Sequence, residues 1–317
     1  MKKKVVVIGG GNGSALVNNA LKPLVRDIDI SSVVSVCDSG GANGRLRERL
    51  GVLPSADVLR AVLALSPYNY GLLKKIFRSN RFSEGKFEGH YLGNLFLMLV
   101  ARHTGDYIGA VRSLEDAVEA VGTVHPVTLD QSDLCVELSD GEIVIGEGVI
   151  DRPTNSMREH RIIRAWLQPT PMIYDGARDA ISSADYIIFA PGSLYTSLIA
   201  TLVVEGMKKG ALRHSNAKFV FVVGNAYEKN GEVGPTILSE VISELETYLP
   251  RPLDIVVYNN RTLTKQEKVY YQKKQWGLLD IDVTDIEGTK IIAADFERKG
   301  GGIDVTKLSK VLQSIIL

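Results

Sequence analysis

Three glycine-rich segments of this sequence each follow directly on a short apolar run, an arrangement in which backbone amides can approach a phosphate. The first is Val5-Val6-Val7-Ile8 followed by Gly9, Gly10, Gly11, Asn12, Gly13 and Ser14. Glycines allow a tight turn and close approach to an anion, and a helix starting there adds unpaired N–H groups and its dipole. Gly9 and Gly11 fit a G-x-G-x-x-G spacing while Ser14 takes the third place. The segment therefore points to a phosphorylated ligand more than to a dinucleotide. In the second segment, residues 33–36 run into Cys37, Asp38, Ser39, Gly40, Gly41, Ala42, Asn43, Gly44, Arg45, Leu46 and Arg47. Asp38, at a strand's carboxyl end, can hold ribose hydroxyls, coordinate magnesium or act as a base. The glycines, Asn43, Arg45 and Arg47 suit a phosphate clamp, bidentate where an arginine reaches it. The third segment is Ala190, Pro191, Gly192, Ser193, Leu194, Tyr195, Thr196 and Ser197. Here Ser193 is placed to cap the next helix and to donate to an anion. It is not a G-x-S-x-G elbow, so Ser193 is not expected to be a nucleophile. Gly224-Asn225 repeats the strand-end pattern, with an amide suited to reading a base or sugar.

Other residues carry less chemistry. His90 and Asn94, in GHYLGN, open a helix one turn apart and can both face a cleft. The five histidines include no HxH or HExxH pair, which argues against a zinc site. Cys37 and Cys135 are too few for a disulfide framework, and Cys37 reads as a buried strand-end residue. No GxxxxGK[ST] occurs, so a P-loop ATPase or kinase is excluded. Gly300-Gly301-Gly302 precedes a last helix with Asp304 as its N-cap, and residues 265–274 read as a solvated lysine-rich helix face.

The elements that must hold these loops alternate. Apolar, β-branched runs recur at residues 5–8, 33–36, 186–189, 219–223, 255–258 and 290–293. Such continuous runs suit parallel strands buried on both faces. Helical spacing lies between them at 15–24, 56–65, 177–184 and 237–249, and the stretch 68–122 reads as mostly helical, with helices at 93–104 and 106–122. The reading is an α/β fold with a doubly wound, mostly parallel, Rossmann-like sheet and helices on both faces. Residues 124–150 break the pattern. There LCVEL and EIVIG flank Asp140-Gly141, a hairpin signal that residues 161–167 can extend. This predicts a small antiparallel hairpin insertion on the main sheet, within a single domain over 1–317.

Composition narrows the partners. The 317 residues carry 37 Lys+Arg against 37 Asp+Glu, a formal net charge of +0. A nucleic-acid polymer or an anionic membrane calls for a basic surface, so neither is expected as main partner. The longest apolar run, residues 95–101, is too short to span a bilayer, and the start runs into glycines too soon for a secretory leader. A reduced, cytoplasmic protein is expected.

Taken in order, VVVIGGGNG, CDSGGANGRLR with LGVLPSADVLRAVLAL, GHYLGNLFL, LCVELSDGEIVIGEG and APGSLYTSL resemble the CofD-like superfamily across nearly the whole chain. Within it they are most similar to the YvcK, or gluconeogenesis factor, branch. The resemblance implies a Rossmann-like nucleotide-binding fold and a homodimer. CofD enzymes transfer a phospholactyl group from a nucleoside-diphosphate-activated donor with magnesium. The YvcK branch instead looks like binders of UDP-sugars such as UDP-N-acetylglucosamine, linked to growth on gluconeogenic carbon, cell-wall synthesis and cell shape.

Carried over residue by residue, the resemblance implies nucleotide binding by Gly9, Gly10, Gly11, Asn12, Gly13, Ser14, Asp38, Ser39, Gly40, Gly41, Arg45, Asp57, His90, Asn94, Pro191, Gly192, Ser193, Tyr195, Thr196 and Asn225. Asp38 is also the magnesium candidate and the catalytic candidate. The chain departs from the branch in several places. Its acidic pair is Asp38-Ser39, its P-G-D-I-R-N becomes Pro54-Ser55-Ala56-Asp57-Val58-Leu59-Arg60, and its N-x-M-T-Q-x-G-E-T becomes NAYEKNGEV from Asn225 to Val233. Ala200-Thr201 replaces a Pro-Asn pair. The lead expectation is a nucleotide-sugar-binding regulator whose diphosphate lies on residues 9–14 and 192–196. The alternatives are a magnesium-dependent phosphotransferase using Asp38 and Arg45, and an NAD-binding oxidoreductase.

Overall fold

A computed structural model describes residues 1–37, 53–54, 56–79, 81–84, 88–224, 226–283 and 285–317. Asp38, Ser39, Gly40, Gly41, Arg45 and Asn225, with the roles expected of them, lie outside the described residues.

The strands in chain order are β1 (Lys3–Ile8), β2 (Ile28–Val34), β3 (Thr123–Pro126), β4 (Asp133–Leu138), β5 (Ile143–Ile145), β6 (Ile162–Gln168), β7 (Tyr186–Phe189), β8 (Lys218–Val223), β9 (Ala226–Glu228), β10 (Ile255–Asn259), β11 (Trp276–Leu278) and β12 (Lys290–Ala294). Seven of them form one sheet in the order β12-β10-β8-β7-β1-β2-β3, and every pairing in it is parallel. Alternate residues of each run face opposite sides. Val6, Ile8, Phe189 and Phe221 enter one core, while Val5, Val7, Ile188 and Val220 enter the other. Both faces are thus dry, which is why the runs are apolar without interruption. Helices Gly11–Leu21, Ala56–Leu65 and Val305–Ile316 cover the second face through Leu21, Leu59, Val62, Leu308 and Leu312. Helices Asp175–Ser182 and Leu238–Thr247 cover the first through Ala177, Ile181, Ile242 and Leu245. Asp304 caps the last helix as expected, accepting from the amides of Thr306 and Lys307 at 2.9 and 3.0 Å.

The chain runs outward from β1 to β2 and β3, then resumes on the other side of β1 with β7, β8, β10 and β12. The order therefore reverses between β1 and β7, where the carboxyl ends of open α/β sheets form a ligand crevice.

Three expectations change. The hairpin forms around Asp140-Gly141, with Gly141 at φ 91°, but it does not join the main sheet. It makes its own antiparallel sheet β5-β4-β6, whose Leu134, Val136 and Leu167 pack into the first core. The segment before it is not helical to residue 122. Helix Tyr107–Ala117 stops one turn early, the backbone turns at Glu119 (φ 52°), and Thr123–Pro126 adds the edge strand β3. Strand β2 starts at Ile28, five residues earlier than its apolar run. It carries Ser32 into the interior because the Asn18 amide donates to its hydroxyl at 2.9 Å.

Candidate functional site

The first glycine loop is shaped by what presses on it. After Ile8 the chain turns through Gly9 (φ 143°), whose amide donates to the Val33 carbonyl at 3.2 Å. Gly10 is the N-cap of helix Gly11–Leu21, with no side chain capping it, and Gly11 has φ 65°. A Cβ on Gly13 would overlap the carbonyl oxygen of Pro191, and one on Gly10 would overlap Oδ2 of Asp57. A Cβ on Gly9 would stand 3.3 Å from the Ala190 Cβ, and one on Gly11 3.5 Å from the Ser197 hydroxyl. The loops after β1 and β7 are therefore in direct backbone contact, and the Asp57 carboxylate lies against the first of them. Asn12 is exposed at the lip, while Ser14 is buried and its hydroxyl donates only to the Gly11 carbonyl at 3.5 Å.

The second loop differs from expectation. Ser193 takes the N-cap position of the turn Leu194–Ile199, but its side chain makes no capping bond. The cap is Glu232, more than 30 residues downstream. Its carboxylate accepts from the Tyr195 amide at 3.1 and 3.2 Å and from the Thr196 amide at 2.9 Å. Burial pushes this carboxyl upward, and the Thr196 and Tyr195 amides draw it partly back. The amides expected to cradle phosphate thus hold the chain's own carboxylate. The Tyr195 side chain points away from the crevice into the interior, where its hydroxyl donates to Glu244 at 2.9 Å. Thr196 is also buried. Arg158 steadies the segment bearing Glu232, donating to the Lys229 and Gly231 carbonyls at 3.0 and 3.1 Å.

Replacing Glu232 with alanine should lower stability by about 1–2 kcal/mol, the usual loss for a helix cap. Amide exchange at Tyr195 and Thr196 should speed up with it, and unchanged exchange there would contradict the capping role.

His90 and Asn94 do not share a helix face. The helix spans Leu92–Thr104 with Tyr91 as N-cap, so His90 precedes it, and its carbonyl accepts from the Phe82 amide at 2.9 Å. Asn94 is fully buried and closes the cap, its Oδ1 accepting from the Tyr91 amide at 3.1 Å. Spacing alone placed both residues on the helix; the cap moved the boundary between them.

Two further residues stand at the site. Arg60 pairs with Asp57 one turn along the same helix, and Ser197 is the side chain that a Cβ on Gly10 or Gly11 would meet at 3.4 and 3.5 Å. An i, i+3 Asp–Arg spacing was the available signal for the first. For Glu232 the signal was weaker, a Gly-Glu pair in a polar stretch after β8.

Comparison with known proteins bears on the family and the fold. A family model described as 2-phospho-L-lactate transferase CofD matches residues 5–297. A Thermotoga maritima protein named "Putative gluconeogenesis factor" is 38% identical over 293 residues, covering 92% of this chain and 90% of the relative. The "Gluconeogenesis factor" of Bacillus subtilis is 29% identical over 288 residues, covering 90% of this chain and 88% of its own. The crystal structure of a Bacillus halodurans protein superposes with a TM-score of 0.87 at 29% identity, over 99% of this chain and 100% of that one.

Proposed function

The chain belongs to the CofD family, and on that premise we propose that it is a cytoplasmic nucleotide-sugar-binding protein of the gluconeogenesis factor type, acting in carbon metabolism, cell-wall synthesis and cell shape. The observation that supports a ligand at this place is the junction of Gly10 and Gly13 with Asp57 and the Pro191 carbonyl, at the point where strand order reverses. The diphosphate lies on the first loop, against the N-terminus of helix Gly11–Leu21, where the dipole and amides favour an anion. It does not lie on Tyr195 and Thr196, because Glu232 would have to leave first. Gly192, with nothing within 4 Å of a Cβ position, leaves room for the nucleotide beside Pro191. Asp38 takes the ribose hydroxyls or magnesium, and Asn225 the base or sugar. The protein works as a homodimer.

A thermal-shift screen of UDP-sugars, guanosine nucleotides and NAD, each with and without magnesium, tests the reading. A UDP-sugar at about 100 times its dissociation constant should add about 2.7 kcal/mol of stability. An unmoved transition with UDP-sugars and a raised one with NAD would overturn it. An Asp38→Ala protein that keeps full UDP-sugar affinity would remove the role given to that carboxylate. The family model's description favours a second reading, transfer of a phosphorus-containing group from an activated donor. Turnover of such a donor by the purified chain would establish it.

A further inference from the structure

Beside the first glycine loop stands a group of cations drawn from two neighbouring elements. Asp57 lies against Gly10 and pairs with Arg60. One helix away, a Cβ on Gly93 would come within 2.5 Å of the Leu59 side chain and 2.9 Å of the Phe77 carbonyl. Gly93 thus closes the gap between the helix bearing Arg60 and the turn Lys75–Ser79 bearing Arg78. Arg78 is half-buried, and its Nε is shut off from solvent without a hydrogen-bond partner. No hydrogen bond or ion pair to it is formed by any described residue.

The surroundings make this costly. Burial pushes Arg78 below its ordinary range, and the positive charge of Arg60 pushes it further; Asp57 pulls it back least of the groups that act on it. Lys74 is lowered in the same way, first by burial and then by Arg78, Arg60 and Lys274. Among the described residues, Asp57 is the carboxylate that acts on Arg78, while the cation Arg60 acts on both Arg78 and Lys74. Partly buried like charges are unfavourable unless an anion joins them, and a planar guanidinium with an idle buried N–H is shaped for a tetrahedral or carboxylate oxyanion.

We propose that Arg78 and Arg60 form an oxyanion site that takes a phosphate group reaching across from the first glycine loop. The identity of that phosphate as part of a nucleotide rests on the reading above. The arginines would make the chain prefer ligands whose anionic portion extends beyond one phosphate, because a second phosphate would engage Arg78 while the first sits on the helix N-terminus. Arg60 would then divide its donors between Asp57 and the ligand, so Asp57 orients Arg60 rather than touching the anion itself.

The test is calorimetric titration of the full chain with inorganic pyrophosphate and, separately, with inorganic phosphate, UDP and a UDP-sugar. The parent protein should bind pyrophosphate more tightly than phosphate, and Arg78→Gln should weaken pyrophosphate at least tenfold, the scale of a lost charge-assisted contact. Arg78→Lys, which keeps the charge without the fork, should fall between the two and guards against a glutamine variant that fails to fold. Equal pyrophosphate affinity in the parent and either folded variant would overturn the site, as would a parent that binds no pyrophosphate. The two readings separate cleanly. Arg78-dependent pyrophosphate binding with no response to UDP or the UDP-sugar would sustain the oxyanion site and sink the nucleotide.

Discussion

Gly13→Ala should cost more than about 3 kcal/mol, beyond the usual range for one added methyl group in a packed interior. The reason is what the new carbon would meet. Its neighbour is the Pro191 carbonyl, a backbone group at the end of a central strand, and no side chain can rotate to make room. Either helix Gly11–Leu21 or the loop after β7 must move, and the strands they follow, β1 and β7, are tied to each other by a parallel ladder. At about 1.5 °C per kcal/mol for 317 residues, the melting temperature should fall by roughly 5 °C or more. Gly210→Ala is the matched control. That glycine has nothing within 4 Å of a Cβ position and no left-handed backbone, so its melt should stay near the parent's. A Gly13→Ala protein that melts with the parent would show that the two loops are not in the contact described.

The second large effect is on pH dependence, through His125 of the edge strand β3. Burial lowers its pKa from 6.5 to about 4, and the positive charge of Arg112, whose Nη2 lies 3.5 Å from Nδ1, adds to the shift. The folded chain therefore holds a neutral imidazole where the unfolded chain would take a proton. Its contribution is fully present above about pH 6.5 and is lost as pH falls towards 4. The loss is about 3 kcal/mol at most, taking about 1.4 kcal/mol per pKa unit. The groups around it are Arg112, the ring of Tyr174 and, through Arg112, Glu115, which accepts from Arg112 at 2.5 Å and from the Val124 amide at 2.6 Å. Glu115 is shifted upward by burial, so it offsets part of the loss at the acid end. Urea unfolding of the parent and His125→Gln at pH 7.5 and 4.5 isolates the histidine. The difference in stability between the two pH values should shrink in the variant, and an equal difference in both would refute the assignment.

How much of this was visible in the sequence depends on the range of the interaction. Strands β1, β7, β8 and β10 were legible because burial on both faces writes an unbroken apolar run, and the edge strand β12 because Ile291 and Ile292 are half-buried on opposite faces. Strand β3 was not. Thr123-Val124-His125-Pro126 has one ladder partner and only two buried residues, and its pattern is that of a loop. The hairpin was legible from Asp140-Gly141, but a turn fixes register between two strands and says nothing about which sheet they join. The glycines of the first loop were read as freedom to turn. The structure gives two of them a second reason, since Gly10 and Gly13 are small because Asp57 and Pro191 press on them. That reason, like the cap from Glu232 and the crowding of Arg60 and Arg78, joins residues far apart in the chain and leaves little local pattern to find.

The contact between Gly13 and Pro191 also sets an order of assembly. Strand β1 precedes β7 by about 180 residues, so one of its two edges stays open until β7 emerges from the ribosome. At synthesis rates of about 5–20 residues per second, that edge waits roughly ten to forty seconds. Until then β1 and β2 can pair, and the first loop can turn, but the wall supplied by Pro191 does not exist. The crevice is therefore a late product of folding, closed by the same strand that covers the open edge of β1. A nascent chain halted before β7 would carry the whole first glycine loop and have no site to show for it.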